Sequence, residues 1–115
     1  MSPNSLTKQS TLKIALVTCP GEKKALEIGE ILVEARLAAC INILPVVKSI
    51  YQWNGKLEQE PESLLIIKTN EAMISELEKK LISIHPYTTP EFVVLDADYV
   101  NAKYFQWLTS ELAEP

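Results

Sequence analysis

The chain has 115 residues, of which 47% are hydrophobic and 23% charged, with a net charge of −4. That length suits one domain with a core of its own, and the acidic balance argues against a nucleic-acid binder, which shows a basic face. No apolar run approaches the roughly 18 residues that a membrane helix needs, and two cysteines, Cys19 and Cys40, fit a reducing compartment with free thiols.

Residues 1–11, MSPNSLTKQST, are polar and without periodicity, and read as a flexible tail ahead of a domain spanning 12–115. They lack the apolar centre of a signal peptide, so a cytoplasmic protein is expected. Leu12 to Thr18 is a short apolar run suited to a buried strand, broken by Cys19-Pro20-Gly21. Glu22 to Cys40 reads as a helix, with Ala25, Ile28, Leu32, Ala35 and Ala39 at helical spacing. Gly29 inside it costs about 1 kcal/mol relative to alanine, which points to close packing against a neighbour. The run Arg36 to Cys40 is nearly all small or apolar and is expected to be buried.

Ile41 to Thr69 forms two extended runs joined by Asn54-Gly55. That pair tolerates positive φ at both central positions and so suits a type I′ hairpin turn. In a two-residue turn Trp53 faces Lys56, Tyr51 faces Glu58, and Ile43 faces Ile66. Each arm then approaches roughly a dozen residues, against about five or six for an ordinary strand. So long a ribbon must project, and its open edges invite another subunit. An oligomer is expected.

Asn70 is a helix cap, and Met73, Ile74, Leu77, Leu81 and Ile84 form the stripe of a second helix. It ends at His85-Pro86, because the residue before proline disfavours helical geometry. Tyr87 to Pro90 is a loop, Glu91 to Ala97 a strand, and Tyr104, Phe105, Leu108 and Leu112 mark a short final helix. The order β-α-β-β-α-β plus a C-terminal helix predicts an α+β, ferredoxin-like (split βαβ) antiparallel sheet with a long hairpin. Two helices would cover one face, and a copy of the chain most simply covers the other.

Few residues offer chemistry. His85, the single histidine, lies close to Tyr87 and Glu91, a set able to move a proton or hold a ligand. On spacing alone the reading as a helix C-terminal residue, meeting the dipole and the last carbonyls, is preferred. Cys19, in the turn after the first strand, is either a soft-metal ligand or a small apolar turn residue, and Cys40 reads as core. Tyr51, Trp53, Glu58, Glu60 and Glu62 share one face of the ribbon. They form either a pocket wall opposite another subunit or cross-strand packing with a solvated acidic edge. Lys68 could pair with an anion or with Glu91. There is no glycine-rich phosphate loop, no Cys-x-x-Cys and no Ser-His-Asp set, so nothing in the sequence argues for an enzyme.

The segments Val17-Thr18-Cys19-Pro20, Arg36 to Asn42, Ser49 to Lys56, Lys68-Thr69, His85-Pro86-Tyr87 with Pro90-Glu91, and Tyr104 with Trp107-Leu108 follow in order. Together, from about Ile14 to Leu112, they resemble the CutA family of divalent-cation tolerance proteins. The resemblance implies a homotrimer whose long hairpins pair between neighbours, a cytoplasmic location, and a link to tolerance of copper and other divalent cations. It also implies an architecture similar to the PII signalling trimers, which bind small effectors between subunits. Members credited with copper binding use a thiol near the end of the first strand and a histidine before Pro-Tyr. His85 matches the histidine. Cys19 lies two positions after the matching thiol position, which is Val17 here, Ile84 stands where some members have a second histidine, and Asp96 replaces a usual proline.

The expectation is therefore a non-enzymatic homotrimer binding copper or another divalent ion near the intersubunit cleft through His85, with Cys19 or Glu91 completing the site. The alternative is a PII-like signalling trimer that takes a small anionic metabolite or protein partner, with Tyr51, Trp53, Lys68 and Tyr87 lining the cleft. A third reading is a purely structural trimer with an indirect metal phenotype. Neither nucleic acid nor membrane is an expected partner.

Overall fold

The computed structural model describes residues 11–114. They run β1 (Leu12–Cys19), α1 (Glu22–Glu34), β2 (Cys40–Trp53), β3 (Lys56–Asn70), a 3-10 turn (Glu71–Met73), α2 (Ile74–Ile84), β4 (Val93–Asp96) and α3 (Ala102–Glu111). Of the tail expected over residues 1–11, all but Thr11 lie outside the described residues; the Thr11 carbonyl accepts from the Glu71 amide at 2.9 Å. The strands form one antiparallel sheet in the order β2-β3-β1-β4. Four antiparallel strands and three helices make an α+β fold. None of the described helices is long and apolar enough to cross a membrane.

Strand alternation builds the core. Ala15, Val17 and Cys19 of β1 and Leu65 and Ile67 of β3 point to one face, where they meet Ala25, Ile28 and Leu32 of α1 and Leu77 and Leu81 of α2. Each large side chain buried there contributes about 1.5–3 kcal/mol. A second cluster joins Leu108 and Leu112 at the end of α3 to Leu12, Ala39 and Met73. Asn70 caps the turn into α2, its side-chain oxygen accepting from the Met73 amide at 3.2 Å.

The hairpin turn is type I′, with φ of 53° at Asn54 and 78° at Gly55. Trp53 pairs with Lys56 and Tyr51 with Glu58, as the two-residue turn requires. Ile43, however, lies opposite Leu65 rather than Ile66. Between Leu44 and Val47 the ladder shifts, so that Pro45 and Val46 together oppose Ser63. This is a β-bulge. Pro45 has no N–H to give the ladder, and its carbonyl accepts from the Ser63 hydroxyl at 2.6 Å. The extra residue reverses the facing of β2 at its base, where Ile41 and Ile43 turn toward the helices and pack on the core. Beyond the bulge, Tyr51 and Trp53 share a face with Glu58, Glu60 and Glu62.

α1 stops six residues short of the expected Cys40. Arg36 has a left-handed φ of 61°. Its amide bonds to the Val33 carbonyl at 2.9 Å, and the Leu37 amide bonds to the Leu32 carbonyl at 3.1 Å. These two bonds close the helix in a Schellman motif, with arginine where glycine is usual. Arg36 is thus exposed, while Ala38 and Ala39 are buried. Its guanidinium donates to the Ser110 and Glu111 carbonyls at 2.8 and 3.1 Å, tying α1 to the end of α3. Gly29 does not mark the close approach expected of it. A Cβ there would meet Ile41 and Ile43 at 3.9 Å, an ordinary contact. β4 is also shorter than Glu91 to Ala97, because it pairs only with Lys13 to Leu16 of β1.

Candidate functional site

Pro86 stops α2, and the chain from His85 to Phe92 crosses the end of β1 before entering β4. His85 is 8% exposed. Its Nε2 donates to the Thr18 carbonyl at 2.8 Å, and its Nδ1 accepts from the Tyr87 amide at 3.0 Å. Both ring nitrogens are therefore engaged, and the imidazole holds the loop against β1. The Tyr87 ring lies 4.9 Å from that of His85, and its hydroxyl donates to Glu62 Oε2 at 2.9 Å. The chain of contacts Thr18–His85–Tyr87–Glu62 fixes where the Glu62 carboxylate sits.

Glu62 lies in the wall of a cleft of about 520 Å³ between the loop and the outer half of the hairpin. Glu58, Glu60 and Glu91 line it with Glu62, and the aromatic rings of Tyr51, Trp53 and Tyr87 complete the walls. Tyr51 Oη donates to Glu60 Oε1. Among the described residues no lysine or arginine is in the lining. The ion pairs of Lys13, Lys24 and Lys79 all lie elsewhere. Burial and the neighbouring carboxylates raise three of the cleft's groups. The Tyr51 phenol is pushed up to about 12, first by its hydrogen bond to Glu60. Tyr87 is raised by burial and then by its bond to Glu62, and the Glu91 carboxyl by burial and then by the Glu62 charge.

Of the residues singled out in the sequence, the cleft gathers Tyr51, Trp53, Tyr87 and Glu91, with His85 bracing it from behind. Cys19 is not in it. Strand β1 continues through Cys19, so alternation points its thiol into the helix-side core, opposite to Thr18. The thiol donates to the Gly21 carbonyl at 3.8 Å. Burial pushes it up to about 11, leaving it protonated and a poor metal ligand. Lys68 lies outside the cleft as well, six residues along β3 from Glu62 and so about 20 Å away. Its ammonium sits 5.9 Å from the centre of the Tyr104 ring. Thiol, imidazole and carboxylate thus do not converge within one chain. Among the described residues no three His, Cys, Asp or Glu side chains come close enough to hold a metal ion. Glu62 itself was visible only as one of three alternating glutamates, and the brace that buries it comes from a residue 25 positions away.

Residues 13–111 match the family described as CutA1 divalent ion tolerance protein. The chain is 43% identical over 98 residues to the human Protein CutA, an alignment covering 85% of this chain and 55% of that protein. To the divalent-cation tolerance protein CutA of Thermus thermophilus it is 42% identical over 96 residues, covering 84% and 93%. The chain thus spans little more than half the length of the human relative. Among solved structures, the Thermus thermophilus divalent cation tolerance protein superposes with a TM-score of 0.86 at 39% identity, covering 89% of this chain and 99% of that one. The CutA1 of Oryza sativa superposes with a TM-score of 0.88 at 32% identity, covering 93% and 99%.

Proposed function

The chain belongs to the CutA1 divalent ion tolerance protein family, and from that we propose that it serves divalent-cation tolerance by binding cations in the acidic cleft, as a cytoplasmic homotrimer. The observation that carries this reading is Glu62, a carboxylate only 8% exposed whose one hydrogen-bond donor among the described residues is the Tyr87 hydroxyl. A buried carboxylate without a positive partner is costly, and a bound cation removes that cost. Supporting the trimer are the 14- and 15-residue arms of the hairpin and the exposed Leu44, Val46, Ile50 and Leu57 along them. The order β2-β3-β1-β4 supports reading the chain as a ferredoxin-like subunit, in which β2 is an edge strand that a neighbour could pair with.

His85, Cys19 and Glu91 do not fit a copper centre within one chain. Metal uptake, copper included, rests in this reading on Glu62 and Glu91 and on what a neighbouring hairpin adds. The sign of the cleft opposes the anionic metabolite of a PII-like site, and the role is one of binding without catalysis. Calorimetric titration of chelated protein with copper(II) and zinc(II) tests the reading. Glu62→Gln is expected to weaken uptake by about tenfold or more, equivalent to 1.4 kcal/mol, while Glu76→Gln on the outer face of α2 leaves it unchanged. Equal affinities in the Glu62→Gln variant and the unaltered protein would contradict it.

A further inference from the structure

The walls of the cleft say more about its ligand than its sign does. A bare divalent ion needs several oxygen donors at about 2.0–2.6 Å, and within one chain no three acidic side chains among the described residues come that close together, so a metal ion held here needs donors from a neighbouring hairpin. The four glutamates are instead spread along a space of about 520 Å³ and interleaved with three aromatic rings. That volume lies in the range of small-molecule pockets, about 300–1,000 Å³. Trp53 is 60% exposed near the hairpin tip, so an indole face is open to a ligand. Glu60 and Glu62 each accept from a tyrosine hydroxyl, which orients them without neutralising them. Lys56, across the ladder from Trp53, lies outside the lining. Diffuse negative charge beside open ring faces is the arrangement that recognises a bulky organic cation.

We infer that the cleft binds an alkylammonium ion of about choline's size or somewhat larger, its charged head facing Glu62 and the rings of Tyr51, Trp53 and Tyr87. The inference rests on reading the cleft as a cation site and adds the class of cation.

Choline and its neutral isostere 3,3-dimethylbutan-1-ol are the probes, titrated into the chelated protein by calorimetry and by Trp53 fluorescence in a Trp107→Phe background. Choline is expected to bind at least about tenfold tighter than the alcohol. Glu62→Gln and Trp53→Leu, each checked for an unchanged circular dichroism spectrum, should each weaken choline by about tenfold. Equal binding of the alcohol would reduce the site to an apolar groove and overturn the inference. So would choline affinity indifferent to both substitutions, since the site would then lie elsewhere. Metal uptake without choline uptake overturns this inference alone, and loss of both overturns the cation reading beneath it.

Discussion

At the scale of single residues, the site is a carboxylate held by a relay. His85 is fastened to the Thr18 carbonyl, Tyr87 to His85, and Glu62 to Tyr87. Glu91 faces the consequence, since burial and the Glu62 charge both raise its carboxyl above the ordinary 4.5. A raised folded-state value means that the folded chain holds this proton more tightly than the unfolded chain does. Below pH 4.5 both states are protonated and Glu91 costs nothing, whereas above its folded value both are ionised and the cost is complete. Glu91→Gln is therefore expected to raise the melting temperature at pH 7 in chelated protein, with the gain shrinking as pH falls below 4.5. An unchanged or lower melting temperature at pH 7 would show that Glu91 is not held in an acidic field.

The sequence showed much of this site because its parts are local. His85 and Tyr87 flank the proline that ends α2, and Tyr51 and Trp53 flank the hairpin turn. Cys19 was misplaced because a Cys-Pro-Gly turn hides one more residue of strand, and one residue decides which face a side chain takes. Lys68 misses the cleft for a different reason: it shares a strand and a face with Glu62 but lies about 20 Å along it.

At the scale of elements, helices, turn and hairpin follow from periodicity and from Asn54-Gly55, while the departures are backbone events that periodicity does not encode. The bulge at Pro45-Val46 shifts the register by one residue, and counting back from the turn cannot detect it. The left-handed Arg36 ends α1 without the glycine that would advertise it, and its hold on the Ser110 and Glu111 carbonyls depends on a helix 74 residues away. Gly29 carries a measurable consequence. A Cβ there would make ordinary contacts with Ile41 and Ile43, so Gly29→Ala is expected to stabilise the chain by about 0.5–1 kcal/mol in chemical denaturation. A loss of stability instead would place another subunit in the shallow groove formed by Leu26, Gly29, Val33 and Ile41.

At the scale of the molecule, the described residues extend 52 × 29 × 22 Å. The helices α1 and α2 cover one face of the sheet, while Val93 and Leu95 of β4 stay exposed along with the apolar residues of the hairpin. Exposed apolar surface of this kind is what the proposed trimer would bury. Arm length led to the same expectation from the sequence, because no helix of a chain this short can reach the hairpin tip. Which side chains a neighbour would bring into the cleft was not legible, since strand pairing between chains leaves no periodic trace within one.

The central claim is an acidic cleft that takes cations in a trimer, and native mass spectrometry tests it most directly. Chelated protein should appear as three chains. Added copper(II) should load up to one ion per chain, and Glu62→Gln trimers should stay unloaded at the same concentration. A monomer, or a Glu62→Gln trimer that loads as fully as the unaltered protein, would contradict the account.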